Sequence, residues 1–394
     1  MPLVNMNDML THAYKQGYAI GAFDLVSLDF LQGILQGAEN ARAPVILSLA
    51  ESHFSYFDFE LMMPAVEAAA RQASVPVAIH LDHGTTLGSA VRSINLGCNG
   101  VMVDASHLSL EENIELSSQV VSMAHGCGVP VEGELGYVPG VEGEDAERHP
   151  GKVAYTSVKE ARRYAGETGI DFLAVSVGTV HGRMQGKPSL DFGRLCDINN
   201  ALGIPLVIHG GTGLSDDQFR QLIANGVAKI NYYTALSDTA ERRILQNVRS
   251  GKADGYTSLL QGVPQAIAEE TERCIRLWGG AGHAEEVLAE SEAWLPVEHV
   301  IVYNADGLDD SGVQAMADRG RRVLSAIPGV REVFAGKAVK ADDAYHYSWL
   351  VRFCHQAVID SYRDHPEHLA FANQVFRPVA GDRISIDFRS LENG

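Results

Sequence analysis

Eight short β-branched runs recur through the first two-thirds of this 394-residue chain, with helix-period segments between them. They are Tyr18–Phe23, Val45–Leu49, Val77–Leu81, Gly100–Val103, Val131–Leu135, Phe172–Val175, Leu206–Ile208 and Lys229–Asn231. Short, continuously apolar runs read as strands buried on both faces, and helical crossovers between them make neighbouring strands parallel. Leu28, Leu31, Ile34, Leu35 and Ala38 mark one helix face, while Ser157–Glu160 and Ser215–Gln218 read as capping boxes that open helices. Eight such units in roughly 250 residues is what a closed (β/α)8 TIM barrel requires. A doubly wound open sheet is the alternative, and the even spacing favours closure.

The pattern breaks at Gly279-Gly280-Ala281-Gly282-His283, and an acidic helical stretch, Ala284–Ala293, follows. A different unit then begins. His299–Tyr303 reads as a strand and Ser311–Ala326 as an amphipathic helix; Ile327–Val330 turns into a strand through Ala335. Tyr347–Phe353 alternates as a strand, Val358–Arg363 continues as helix, and Arg383–Phe388 alternates again. The order β-α-β-β-α-β predicts a ferredoxin-like α+β unit. The expected division is therefore a barrel over 1–280, a linker helix over 281–296 and an α+β domain over 297–394.

Composition sets outer limits. Apolar content of 46% and charged content of 21% fit a soluble globular chain. No apolar stretch approaches the roughly 18 residues of a membrane span, and Met1–Asn5 does not begin a secretory signal. Five scattered cysteines without a C-x-x-C pair point to a reducing cytoplasm. A net charge of −19 argues against nucleic acid as a partner. It leaves a phosphorylated small molecule open, since a local nest of backbone N–H groups holds one phosphate regardless of distant charge.

Catalytic groups of a barrel come from the C-terminal ends of its strands. Here the third strand ends in His80-Leu81-Asp82-His83, the fourth runs into Asp104, and the fifth carries Glu132 and Glu134. Gly178-Thr179-Val180-His181-Gly182 follows the sixth, His209-Gly210-Gly211-Thr212-Gly213 ends the seventh, and Asn231 ends the eighth. His83, His181 and His209 on one rim match a catalytic zinc site with three protein ligands and an open position. Asp104 and Glu134 suit an outer metal position or the orientation of the histidines. Small residues at Gly182 and Gly210–Thr212 let backbone N–H groups approach an anion, where barrels commonly bind phosphate. Asp82, expected on a loop that turns it toward the metal, is placed to exchange a proton with an alkoxide.

His80-Leu81-Asp82-His83-Gly84, Glu132-Gly133-Glu134-Leu135-Gly136, Gly178–Gly182 and His209–Gly213 resemble class II fructose/tagatose-bisphosphate aldolases, as do Tyr155–Gly182 and Gly186–Phe192. The resemblance covers about residues 1–278. It implies Zn2+ on His83, His181 and His209, and Asp82 as the proton donor and acceptor at the cleaved alcohol. It implies a secondary metal position at Asp104 and Glu134, with Glu142 on a loop as an acid/base. Phosphate binding by Gly182, Gly210, Gly211, Thr212 and Asn231–Thr234 is implied too, helped by a monovalent cation (Na+ or K+). The implied reaction is cleavage of a ketose 1-phosphate or 1,6-bisphosphate to dihydroxyacetone phosphate and an aldehyde.

Several positions depart from the family pattern. Asp24 replaces an Asn, Ser48 and Ala50 replace Gln and Ser, the mobile loop reads Pro139-Gly140-Val141-Glu142-Gly143, and Tyr232 and Tyr233 are bulky where the family is not. These changes are expected around the substrate, with Asp24, Tyr232 and Tyr233 among its contacts, and they leave the histidines intact. An epimerase or lyase on a related sugar phosphate, and a non-catalytic sugar-phosphate-binding scaffold, are the competing readings. His299–Tyr303, Ile327–Val330, His365-Pro366-Glu367-His368 and Asp387-Phe388 resemble the stress-responsive A/B barrel domain, a ferredoxin-like fold that pairs into a dimeric barrel. This implies a homodimer or larger homo-oligomer; His299, His365 and His368 are read as structural or turn residues ahead of ligands.

Overall fold

The structure is a computed structural model and describes residues 2–140, 154–183, 189–251 and 253–391. Eight parallel strands close into a barrel in sequence order: β1 (Ile20–Asp24), β2 (Val45–Ala50), β3 (Val77–Gly84), β4 (Gly100–Val103), β5 (Val131–Leu135), β6 (Phe172–Val175), β7 (Leu206–Ile208) and β8 (Val227–Tyr232). All eight expected runs are present. β8 pairs with β1, so the sheet has no edge and the open-sheet alternative is excluded. Nearly every strand residue is buried, because side chains face either the barrel axis or the surrounding helices.

Side chains pointing along the axis change character from one end to the other. Ile20, Ala22, Ile46, Ala78, Met102, Phe172, Ala174 and Val207 join one apolar cluster with Met6, Met9, Leu10 and Ala13 of the helix Met6–Gln16. That helix plugs the N-terminal end of the barrel. Asn5 caps its start, and Gly17, at φ 75°, ends it in the left-handed conformation that glycine adopts without a Cβ penalty. Towards the C-terminal end the inward positions turn polar: Ser48, His80, Asp82, Glu132, Glu134, His209, Lys229 and Asn231, all buried. The Ser215–Gln218 capping box forms as expected, and Ser157 accepts from the Glu160 N–H at 3.2 Å.

Compactness divides the chain into two units. The second contains a four-stranded antiparallel sheet of β9 (Val297–Tyr303), β10 (Val330–Lys337), β11 (Tyr347–Phe353) and β12 (Arg383–Arg389), in the order β10-β11-β9-β12. This is the ferredoxin-like arrangement, with helices Asp310–Leu324 and Val358–Asp364 as its two crossovers. One addition was not legible beforehand. Pro366–Phe371 forms a further helix that runs into a π-helical turn at Ala372–Phe376.

Candidate active site

Strand β3 supplies two neighbouring residues by different means. Asp82 keeps an inward strand position, is 2% exposed, and accepts a hydrogen bond from Asn231 Nδ2 at 2.9 Å. His83 leaves regular geometry: its φ is +48°, and the β3–β4 register shifts between Leu81 and Gly84. The irregularity brings two consecutive side chains, which a regular strand would send to opposite faces, to the same mouth. The expectation that Asp82 turns on a loop is thus corrected; the strand continues through both residues, and the histidine is the one that departs. A non-glycine residue in this region costs about 1–3 kcal/mol and persists only where its surroundings hold it. Here the His83 Nδ1 contact with Asp104 Oδ2 at 2.8 Å does so, and Ser106 in turn donates to Asp104 Oδ1 from its backbone N–H at 3.1 Å and its hydroxyl at 2.7 Å.

The loops after β6 and β7 bring the other two histidines. The His83 ring centroid lies 4.6 Å from that of His209 and 5.1 Å from that of His181, and one ligand atom from each of the three falls within 4.8 Å of the others. His181 engages the Val138 carbonyl through Nδ1 at 3.2 Å, so a metal would take its Nε2. His209 engages Glu132 Oε1 through Nε2 at 2.9 Å, and its buried Nδ1 has no hydrogen-bond partner among the described residues. A buried imidazole nitrogen without a partner is costly unless something else meets it. Burial lowers the His181 pKa to about 3, with help from the neighbouring His83 and His209, and burial likewise holds His209 far below its ordinary value. Both are therefore neutral, the form that ligates a metal. The three residues fit a divalent ion of the zinc type.

Asp104 and Glu134 stand on the outer side of His83, with Glu134 Oε2 3.9 Å from its Nδ1. Burial, followed by repulsion from Asp104, raises the Glu134 pKa well above its ordinary value. A cavity of about 500 Å³ opens here, walled by His83, Asp104, Glu134, Tyr137 and His181. Asp82 and His209 do not line it and lie deeper in the barrel.

The expected phosphate-binding segments also converge. Gly210 has φ +71°, and a Cβ there would sit 2.2 Å from the Val180 carbonyl oxygen, so only glycine lets the β7 loop lie against the β6 loop that carries His181 and Gly182. Gly211 packs near the Asn231 backbone, Thr212 is half-buried, and Thr234 is buried at the start of the helix Thr234–Arg249. Asp24 is buried at the end of β1, paired with Ser48 of β2 in register. Tyr233 lies against His53, with ring centroids 4.5 Å apart and planes tilted by 50°. Tyr232 goes elsewhere than expected. Its hydroxyl donates to Glu270 at 2.9 Å and its ring meets Phe23 and Trp278, so it faces the surrounding helices because Asn231 takes the inward position. Glu142 lies outside the described residues.

Three participants were not singled out from sequence. Lys229, fully buried, donates to Glu132 Oε2 at 2.6 Å and to Asn231 Oδ1 at 2.7 Å, which joins His209, Glu132, Lys229, Asn231 and Asp82 into one chain of hydrogen bonds. Glu51 accepts from the Thr85 backbone N–H at 2.7 Å and its hydroxyl at 3.0 Å, which pins the loop after β3. His53, 3% exposed, is buried beside Tyr233. A lysine in the middle of a β-branched strand was the available signal for the first; nothing local marks the other two.

Comparison with known proteins finds relatives for both parts of the chain. Residues 297–390 match the model of the stress responsive A/B barrel domain. A Bacillus subtilis protein named "Probable fructose-bisphosphate aldolase" is 39% identical over 289 residues, spanning 72% of this chain and all of that relative. A fructose-bisphosphate aldolase of Staphylococcus epidermidis is 38% identical over 290 residues, again spanning 72% of this chain and all of the relative. The crystal structure of the YdjI aldolase from Escherichia coli K12 superposes with a TM-score of 0.64 at 32% identity, covering 72% of this chain and 99% of that one. Residues 4–283, which contain the whole barrel and all three histidines, match the class-II fructose-bisphosphate aldolase model, and the chain belongs to that family of carbon–carbon lyases.

Proposed function

We propose that the barrel is a zinc-dependent ketose-phosphate aldolase, cleaving a ketose 1-phosphate or 1,6-bisphosphate reversibly to dihydroxyacetone phosphate and an aldehyde. The observation that carries this reading is a buried carboxylate, Asp82, at the same end of the barrel as three imidazoles whose ligand atoms lie within 4.8 Å of one another. His83, His181 and His209 would hold Zn2+, which supplies Lewis-acid polarisation of the substrate ketone. Asp104 and Glu134 would serve a secondary metal position.

Asp82 does the proton work. Asn231 holds its Oδ1, so Oδ2 is presented to the C4 hydroxyl. Asp82 accepts that proton, the C4 oxygen collapses to the aldehyde, the C3–C4 bond breaks and its electron pair passes toward the C2 carbonyl. In the condensation direction the proton returns from Asp82. Glu142 is proposed to handle the proton at C3. Backbone N–H groups of Gly182, Gly210, Gly211 and Thr212, with Asn231–Thr234 at the start of a 16-residue helix, would bind the phosphate, with a monovalent cation beside it. Asp24 and Tyr233 would face the aldehyde half.

We place the enzyme in the cytoplasm, since all five cysteines are thiols, and as a homodimer or larger homo-oligomer built through the C-terminal unit. The described residues contain no helix long and apolar enough to cross a membrane. The proposed division is a barrel over 1–280, a linker helix over 281–296 and an α+β domain over 297–394. An aldol condensation screen with dihydroxyacetone phosphate against varied aldehydes tests the reading. Carbon–carbon bond formation with at least one aldehyde is expected, abolished by EDTA and restored by zinc. Full activity after chelation would sink it, as would isomerisation of phosphosugars without cleavage.

A further inference from the structure

We propose a second divalent-metal site at the opposite end of the barrel, held by His12, His283, Glu286 and Glu290. The spacing His283-x-x-Glu286-x-x-x-Glu290 places three potential ligands on one face of the short helix Ala284–Glu290 and the residue that precedes it. His12 comes from the helix that plugs the N-terminal end of the barrel. Val287 and Leu288 pack into the apolar cluster that contains Met6, Met9 and Leu10, which sets one helix against the other.

The rings at this junction are fixed. His12 is 4% exposed at its side chain and pairs through Nδ1 with the Tyr18 hydroxyl at 2.9 Å. Tyr18 stacks on His283 with centroids 4.4 Å apart and planes 3° from parallel. His12 Nε2 is thereby aimed at two carboxylates, 3.9 Å from Glu286 Oε2 and 4.0 Å from Glu290 Oε2. Those separations are too long for hydrogen bonds. They approach the roughly 3.3–3.6 Å edge of a tetrahedron whose metal–ligand bonds are about 2.0–2.2 Å. His283 Nδ1 lies 2.8 Å from the same Glu286 oxygen, and one ligand atom each of His12, His283 and Glu286 falls within 4.8 Å of the others. The glutamate side chains are 61% and 67% exposed, so they can adjust around an ion while His12 stays put.

Two imidazoles and two carboxylates favour a borderline transition ion such as Zn2+ or Co2+ over Mg2+ or Ca2+, which prefer all-oxygen sets. With an ion on His12 Nε2, the Nδ1–H would donate to the Tyr18 hydroxyl 2.9 Å away, which would hold the ring in the ligating tautomer. The bound ion would clip the helix after the barrel to the helix before it, and stabilise the fold by mass action. The catalytic histidines stand at the other mouth and take no part.

Equilibrium dialysis of the full-length protein against Co2+, with the visible spectrum recorded, tests the site in wild type, His283→Ala and Glu290→Gln. The expected result is one more bound Co2+ per chain in wild type than in either variant, together with loss of one set of tetrahedral absorption bands. Aldolase turnover of the zinc-loaded variants should match wild type, which shows that they fold and separates this site from the catalytic one. Equal stoichiometry and equal spectra in all three proteins would overturn the proposal.

Discussion

Two side chains in the barrel are held by others for a task. Asp82 would act on substrate, and Asp82→Ala should lower kcat by about 10²–10⁴ while zinc content stays at the wild-type level. Unchanged turnover would remove Asp82 from the mechanism. Lys229 acts at a distance, as the cation that neutralises Glu132 and supports Asn231. Removing one partner of a fully buried pair leaves the other charge without compensation, at a cost of about 3–5 kcal/mol. Lys229→Met should therefore lower the unfolding free energy read from urea titration by that amount. It should also weaken zinc retention, because Glu132 holds His209. A double variant Lys229→Met with Glu132→Leu should recover part of the stability and none of the metal affinity. An unfolding free energy for Lys229→Met within about 1 kcal/mol of wild type would contradict the assignment of a buried ion pair.

At the scale of elements, the β6 and β7 loops meet through a glycine that has no substitute. Gly210→Ala places a methyl group 2.2 Å from the Val180 carbonyl oxygen at a φ of +71°. The backbone on either side carries His181 and His209, so the loops must separate and both ligands shift. The expected outcome is at least a tenfold loss of kcat/KM with a fall of a few degrees in Tm, read by condensation kinetics and calorimetry; wild-type kinetics would show that the loops tolerate separation. The barrel strands and the convergence of His83, His181 and His209 are legible in the sequence because the signals are local: β-branched runs buried on both faces, and polar residues where such runs end. Two kinds of feature were not. The irregularity at His83 depends on pairing with β4, which no window around residue 83 contains. The outward direction of Tyr232 depends on Asn231 winning the inward position, which follows only once β8 is registered on β1. The helix at Pro366–Phe371 was missed because His365-Pro366 reads as a turn, although proline fits the first turn of a helix, where its missing N–H has no partner to lose.

For the whole molecule, the C-terminal sheet has two unlike faces. One carries Trp349, Val351 and Phe353, buried against the helices of its own unit. The other lines up Phe334, Leu350, Val300 and Ile386 in direct register across all four strands. Phe334 is 52% exposed, and Ile384, Ile386 and Phe388 on β12 are 45%, 48% and 48% exposed. An apolar stripe spanning a whole sheet is not how a solvated face is built, since antiparallel sheets with one wet side alternate apolar and polar residues. A second copy of the same sheet presents a complementary surface, and a two-fold pairing is self-satisfying because each stripe covers the other. The expected state in sedimentation equilibrium is therefore a dimer. Ile386→Glu should convert it to a monomer, since pairing would bury an uncompensated carboxylate against its own symmetry mate. The side chain it replaces lies outside the barrel, so zinc content and single-chain kinetics at the catalytic mouth should persist. A wild-type protein that sediments as a monomer would leave the stripe unexplained by self-association, and a variant of unchanged mass would place the oligomer contact on another surface.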